Sequence, residues 1–513
     1  MKQNKSWLKI KQYAHIGEPL SPKNKHDIQS YVRNEDKIAH HAFFPLIKRN
    51  VTKYHYKKIS TTSSKVKRAK TRPICYATHL DSTIYSFYAF KISKYYEKFL
   101  HENKISQCIT AYRSIPCENR YGNKCNIDYA KDVFDFIRGK CFKEDVAVIT
   151  FDIKGFFDNL DHKLLKNAWK KICNLTSMSN AEYAIYRNII NYSYVDEDKL
   201  FELFKDKIIC KIKSGKIVTR KIKKKKYFRD KRVFAFCQRC DIVQIREKGL
   251  IRKGNFDYDN NNYTHKGIPQ GLPISAILAN VYMNEFDITI AKDIDSFGGL
   301  YRRYSDDIII VCPLKYGSFW KDYMIDQIQN VNLTIEFSKT NLYTFKTNNN
   351  KQIHCEHEIL GSNKLLEYLG FSFDGENIRI KNSGLGVYYY KMRKSVERCI
   401  YFSAHSHNKK GHGKLFENRL VYPFSQLGSR KHKIFVRTKT KPYYFYDSKR
   451  RSLGNYWSYA KKSAEIMNSP AILKQMSRNK HKLKSQILEA RKIVPQIIYI
   501  RDYIATMKYG RWH

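Results

Sequence analysis

Acidic residues are scarce in this chain: 47 Asp and Glu stand against 96 Lys and Arg in 513 residues, a formal net charge of +49. That balance argues against an ordinary metabolic enzyme and draws in polyanions. Nucleic acid is the leading partner and an anionic membrane surface the rival. AT-biased coding also enriches Lys, Asn, Ile and Tyr, but it exchanges Arg for Lys and does not deplete acids. Long apolar runs are lacking as well. No stretch of 18 or more apolar residues occurs, so no membrane-spanning helix is expected. The basic start from Met1 to Tyr13 has no apolar signal-peptide core. The 12 cysteines follow no framework spacing, so they read as reduced thiols in a cytoplasmic protein. No internal repeat stands out.

What is present is enough for a folded protein. A hydrophobic content of 42% excludes wholesale disorder. The length suits roughly two to four structural units. The charge is uneven: residues 376–513 hold 31 basic and 7 acidic residues, which suggests a separate C-terminal unit that grips phosphates.

Along the chain, residues 1–60 read as short helices and loops, and 61–72 as a basic loop or hairpin. Leu80 to Leu100 has helical spacing, with Ile84, Phe87, Phe90 and Ile92, and 127–138 reads as another helix. Residues 145–151 form a β-prone run that predicts a buried strand, followed by a helix over 162–173 with Leu164, Leu165, Ala168 and Trp169 on one side. Residues 205–232 hold 14 basic and 2 acidic residues, and Ser214-Gly215 suggests the tip of a basic hairpin; a solvated loop is the alternative. A Gly/Pro-punctuated loop at 267–275 precedes a helix through Ile290. Residues 300–311 read as strand, tight turn, strand. Beyond Gly375 the pattern is helical with aromatic clusters.

The chemistry lies where hydrophobic strands end in acids. Asp152 closes one strand, and Asp306-Asp307 sits between two others. On adjacent strands these carboxylates would share a cleft, where they cannot all stay ionised without cations. Mg²⁺ takes carboxylate and phosphate oxygens and meets that need. An isolated Asp-Asp is ordinary turn chemistry. The β-prone flanks, the second acid and the loop Gly267-Ile-Pro-Gln-Gly-Leu-Pro-Ile-Ser275 set this pair apart.

In their order these motifs resemble a reverse transcriptase. An Arg-Pro-Ile segment comes first, then Asp152-Ile-Lys-Gly-Phe-Phe157, the Pro-Gln-Gly loop and Tyr304-Ser-Asp-Asp307. Lys339-Thr340 and Tyr368-Leu-Gly-Phe371 follow. The resemblance runs from about Arg68 to Phe373. It implies an α+β right-hand polymerase of fingers, a palm with an antiparallel sheet, and a helical thumb, plus a basic C-terminal helical extension. On that plan 1–60 is an N-terminal extension and 61–145 the fingers. Residues 146–375 are the palm with a basic insertion near 205–260, and 376–513 the thumb and extension.

The resemblance implies that Asp152, Asp306 and Asp307, with the Ile153 carbonyl, hold two Mg²⁺ ions, or Mn²⁺. Phe157 stands where the family has a steric gate against the 2′-hydroxyl; plain core packing is the alternative. Gln270 and Gly271 would shape the nucleotide pocket, where a glycine lets the backbone approach the substrate. Lys70 and Arg72 match residues that clamp the triphosphate, or are surface charges. Lys339 matches a general acid for pyrophosphate. Tyr368, Leu369, Gly370 and Phe371 match the primer grip. Tyr112-Arg113-Ser114 resembles a family segment but lacks its glycine, so no role is carried over.

Other candidates are weaker. Cys237-Gln-Arg-Cys240 has zinc-like spacing without a second pair, although Cys210 and His265 are available. His405, His407 and His412 beside Lys409 and Lys410 suit solvent or RNA better than a metal. No ribonuclease H, integrase or HNH motif and no retron thumb motif follows the palm. By elimination the chain looks most like bacterial antiphage-defence reverse transcriptases of the unknown groups. Such a protein takes dNTPs and an RNA template, often a structured non-coding RNA, and makes DNA; a homo-oligomer is compatible. The insertion and the Tyr/Lys-rich extension would contact that RNA, or the aromatics, Tyr443-Tyr444-Phe445-Tyr446 among them, are thumb core. Template-independent or protein-primed synthesis, or a non-catalytic RNA-binding or splicing protein, are the alternatives.

Overall fold

The computed structural model describes residues 7–58, 65–211, 216–406, 412–429, 433–436, 445–451 and 454–509. The fold is mixed α+β with mainly antiparallel sheets. It divides into two compact units. The first comprises Met1–Arg113, Thr150–Ile310 and Ser318–Thr340, the second Ser114–Ile149, Val311–Gly317 and Asn341–His513.

In the first unit, short helices Lys25–Arg33 and Glu35–Ala39 appear as expected, but a strand then runs Leu46–Lys58. It pairs antiparallel with Lys65–Tyr76, from Ile47↔Tyr76 to Lys58↔Lys65. A boundary at residue 60 therefore cuts a single hairpin. The first strand escapes a pattern search because Val51 to Tyr54 are all exposed, so no alternating buried face marks it. At its base this hairpin joins Ser193–Asp196 and Arg252–Lys253 in a four-stranded sheet. The helix His79–Glu102 is capped by Thr78 Oγ1, which accepts from the Asp81 N–H. It buries Ile84, Tyr85, Tyr88 and Ile92, while Phe87 and Phe90 stay half-exposed.

The insertion is a folded layer. Ile208–Lys211 pairs with Ile217–Arg220, as the hairpin reading requires, and a third strand, Val233–Ala235, lies on its other side. Residues 214 and 215, the expected tip, lie outside the described residues. Ile208, Cys210, Ile222 and Phe236 pack with Ile47, Val195, Leu200 and Phe204 in one apolar cluster. Further along, Leu300–Tyr304, Asp307–Pro313 and Val146–Asp152 lie side by side in that order.

In the second unit, the helix Asn126–Cys141 buries Ile127, Ala130, Val133, Phe134 and Ile137. Asn341–Thr347 pairs antiparallel with Ile353–His357. Leu366–Tyr368, Phe371–Phe373 and Ile378–Ile380 form a small sheet. The region beyond residue 375 is mostly helix, over Asn382–Ala404, Asn418–Phe424, Tyr456–Ile466 and Pro470–Tyr509. It is not helical throughout, because Ile378–Ile380 and the hairpin Lys433–Val436/Phe445–Arg451 are strands. A strand as short as Ile378–Ile380 is too brief to show a period of two.

Candidate active site

Asp152 ends its strand, and the next N–H, of Ile153, donates to the Asp306 carbonyl at 3.1 Å. Two further backbone bonds fix this strand end: Lys154 N–H to Thr334 O at 2.9 Å and Glu336 N–H to Asp152 O at 2.8 Å. The two acids read from separate stretches of sequence thus sit at neighbouring strand ends. Ser305 turns the chain between the strands with φ +62°, a left-handed conformation that is uncommon for serine. Asp306 is half-buried and Asp307 exposed.

Among the described residues, no three His, Cys, Asp or Glu side chains form a group able to hold a metal. Asp306 lies in the turn itself, and Asp307 begins the strand that follows. Asp152 instead pairs with the Lys339 ammonium. Lys339 ends the short turn Phe337–Lys339, so the residue matched to a general acid does lie at the site. The donors still fit a hard divalent cation: carboxylate oxygens, one of which already faces a cationic group.

Behind the turn lies a network that motif reading misses. Arg303 binds Asp287 by two bonds, Nε to Oδ1 at 2.7 Å and Nη2 to Oδ2 at 2.5 Å, with both side chains fully buried. Arg303 Nη1 also reaches the Ser305 carbonyl at 3.3 Å and Asn280 Oδ1 at 3.2 Å. The Tyr301 hydroxyl adds a bond to Asp287 at 2.6 Å. Tyr112 touches the turn as well, its hydroxyl 3.1 Å from Ser305 Oγ. One sequence signal does point to it: Tyr301, Arg303 and Ser305 share the buried parity of the strand, so Arg303 has to find an acid.

The Pro-Gln-Gly loop is stitched to its surroundings by backbone. Gly267 N–H donates to Leu160 O and Ile268 N–H to Phe157 O, both at 2.8 Å. Gln270 O accepts from Cys75 N–H at 2.8 Å. Gly271 has φ +115°, and a Cβ there would run into the Cys75 carbonyl oxygen and lie 2.9 Å from Ile74 Cγ2. Its glycine therefore serves close approach to the Lys65–Tyr76 strand. The helix that follows spans Ser275–Tyr282, and a second one, Asn284–Ser296, replaces its expected continuation.

Phe156 and Phe157 divide their work. Phe156 is buried, whereas Phe157 is half-buried, its ring centroid 5.6 Å from that of Phe156. Lys70 and Arg72 are exposed on the long hairpin, opposite Lys53 and Val51.

In the second unit, Tyr368 and Phe371 pair across a two-residue turn, with Leu369 at φ +44° and Gly370 at φ +94°. Both rings are buried, so only Leu369 and Gly370 lie at the surface of the segment matched to a primer grip. Asn126 Nδ2 fixes the turn through the Leu369 carbonyl at 3.0 Å.

The weaker candidates resolve separately. Cys210 and Cys237 lie in the apolar cluster of the insertion, and burial pushes the Cys237 thiol up to about 12. Cys240 is exposed. His405 stacks on Tyr401 with centroids 4.4 Å apart, and His412 Nδ1 lies 3.1 Å from Ser406 O. His407, Lys409, Lys410, Tyr443 and Tyr444 lie outside the described residues. Tyr388, from the aromatic stretch before them, is buried and stacks on Tyr456 at 4.9 Å, while Tyr390 is exposed.

Residues 220–373 match the family model described as reverse transcriptase (RNA-dependent DNA polymerase). The chain carries a reverse transcriptase domain. The matched segment contains the Pro-Gln-Gly loop, the Asp306 turn, Lys339 and the Tyr368–Phe371 turn. Asp152 precedes it and joins the domain's Asp306 through the bond from Ile153. Among solved structures, similarity extends to apo telomerase from Candida tropicalis truncated from its C-terminal domain. That match has 11% identity and TM-score 0.34, over 64% of this chain and 54% of that one. The telomerase of the same organism in complex with a fragment of telomeric RNA matches at 11% identity and TM-score 0.33, over 92% and 67%. The chain spans about half the length of the first of these structures.

Proposed function

We propose that the protein is an RNA-directed DNA polymerase that adds dNTPs to a 3′-hydroxyl. The observation that carries this reading is the Ile153 to Asp306 backbone bond of 3.1 Å, which brings Asp152 to the acidic turn of the reverse transcriptase domain. Asp152 and Asp306, with Asp307 and the Ile153 carbonyl, are the proposed ligands of two Mg²⁺ ions. When bound, such ions lower the pKa of the attacking hydroxyl and stabilise the leaving pyrophosphate. Lys339, which pairs with Asp152, would hold a proton for the pyrophosphate oxygen. Phe157 fills the space that a 2′-hydroxyl would need. Gln270 lines the nucleotide pocket, and Gly271 keeps the loop against the strand bearing Lys70 and Arg72. Those two cations offset the triphosphate charge. Leu369 and Gly370 present the primer-grip turn.

On this reading the long hairpin belongs to the fingers, the strands around Asp152 and Asp306 to the palm, and the C-terminal helices to the thumb and extension. No described helix is long and apolar enough to cross a membrane. Cytoplasmic action on a structured non-coding RNA, in antiphage defence, is the proposed setting. It is supported by the sequence resemblance and by the basic extension.

Supplying poly(rA) with an oligo(dT) primer, Mg²⁺ and one dNTP at a time tests the polymerase reading. Incorporation of dTTP alone is expected. Equal incorporation of any single dNTP without template would instead identify a terminal transferase. Sequencing the RNA and DNA that co-purify tests the dedicated template, expected as one abundant RNA with complementary DNA.

A further inference from the structure

The fold sorts the cations of the insertion into two kinds. Lys225 turns inward, and its Nζ meets Glu197 Oε2 at 2.9 Å. The same carboxylate accepts from Arg49 Nε at 2.8 Å and from the Tyr76 hydroxyl at 2.9 Å. Glu197 thus pins the insertion to the base of the long hairpin. Beneath, the strands Ile208–Lys211 and Val233–Ala235 rest on the apolar cluster around Leu200, Phe204 and Phe236.

The neighbours of Lys225 face the other way. Arg220, Lys223, Lys224, Lys226, Arg229, Lys231 and Arg232 are all exposed, and Asp230 is the one acid in the stretch. Ion pairs of this stretch among the described residues involve Lys221, with Asp206, and Lys225, with Glu197 and Asp198. None neutralises the exposed cations. Like charges crowded on a short folded segment repel one another, a cost that an anionic ligand removes. The apolar sheet and the Glu197 anchor hold them in place against that repulsion.

Aromatic residues indicate what kind of polyanion fits. Phe228 packs into the insertion against Phe201 and Phe236, with centroids 5.7 and 5.3 Å away. Tyr227 is the exposed ring, and the Lys226 ammonium lies 5.1 Å from its centroid. This face offers many phosphate contacts and little surface for stacking unpaired bases, so it suits a backbone rather than splayed nucleotides.

We propose that the outer face of the insertion, residues 220–232, is a binding site for the sugar–phosphate backbone of double-helical RNA, distinct from the site at Asp152 and Asp306. The choice of RNA rests on the polymerase reading; the site itself rests on the charge. It would hold a stem of the structured RNA whose unpaired part serves as template.

The test uses the full chain with Lys223, Lys224, Lys226 and Arg229 all changed to Gln. Binding of an RNA hairpin with a long stem, of oligo(rU) and of phosphatidylserine vesicles is titrated over a salt series, in EDTA and without dNTPs. The slope of log K against log salt for the hairpin should fall by about 3 to 4, from ~0.9 for each lost phosphate contact. The slope for oligo(rU) should change less. A second variant, Lys231→Gln with Arg232→Gln, should lower the hairpin slope by about 2 and guards against misfolding of the first. An unchanged hairpin slope in both variants overturns the site. Equal losses for hairpin and oligo(rU) overturn the double-helical assignment. A loss confined to vesicles overturns it in favour of a membrane surface. Because no nucleotide is incorporated, a protein that fails in primer extension yet shows the slope change keeps this site and loses the polymerase reading.

Discussion

Arg303 and Asp287 form a fully buried, two-pronged ion pair behind the turn that presents Asp306. The pair matters because Arg303 also binds the carbonyl of Ser305, whose φ of +62° the turn must sustain. Asp287→Ala leaves the guanidinium buried and unpaired, so a loss of about 3–5 kcal/mol in stability is expected. Arg303→Lys keeps the charge but not the fork, and should lower kcat with little change in KM. Urea denaturation and steady-state primer extension check the two. A kcat equal to wild type in Arg303→Lys would show that the network supports the fold alone.

Gly271→Ala should cost about 1–3 kcal/mol of strain and most of the activity. The obstacle is the Cys75 carbonyl, so Cys75→Ala should not rescue it. Thermal melting of the single and double variants measures both.

The neighbouring phenylalanines should separate cleanly. Phe157→Ala is expected to admit ribonucleotides at nearly unchanged stability. Phe156→Ala opens a cavity and should cost about 3–5 kcal/mol without changing dNTP/NTP discrimination. Single-nucleotide incorporation with dNTP and NTP pairs is the measurement.

Lys339 pairs with Asp152, so on the proposed two-metal reading it competes with a divalent cation for that carboxylate. Lys339→Met should therefore bind Mn²⁺ more tightly in calorimetry while extending primers more slowly. Weaker Mn²⁺ binding in that variant would remove the competition.

Acid should weaken the first unit through His15. Its Nδ1 accepts from the Ile16 N–H at 2.7 Å, and its Nε2 lies 3.0 Å from the Tyr76 carbonyl, which suits a neutral ring. Burial lowers its pKa to about 4 from the ordinary 6.5. The unfolded chain takes up the proton first, so this stability is whole above pH 6.5 and declines as pH falls toward 4. The full loss is about 3 kcal/mol. Urea midpoints across that range should fall in wild type and stay flatter in His15→Gln.

What is legible in the sequence follows from the range of each interaction. Asp152 and Asp306 can be read because each sits where a hydrophobic run ends, a local signal. The strand Val146–Asp152 comes from a compact β-prone run, and the helix His162–Ile172 from the spacing of its apolar side. The approach of Gly271 to Cys75 is not legible because that strand is far away in sequence. Leu46–Lys58 escapes because an arm exposed on both faces around Val51 to Tyr54 leaves no pattern.

Primer extension by the full-length protein and its Asp306→Asn variant tests the central claim most directly. With an RNA template, a DNA primer, dNTPs and Mg²⁺, the wild type should extend the primer. The variant should lose at least about a thousandfold in rate, about 4 kcal/mol, while binding the RNA with the same affinity. Undiminished extension by Asp306→Asn would contradict the assignment of the acidic turn as the polymerase centre.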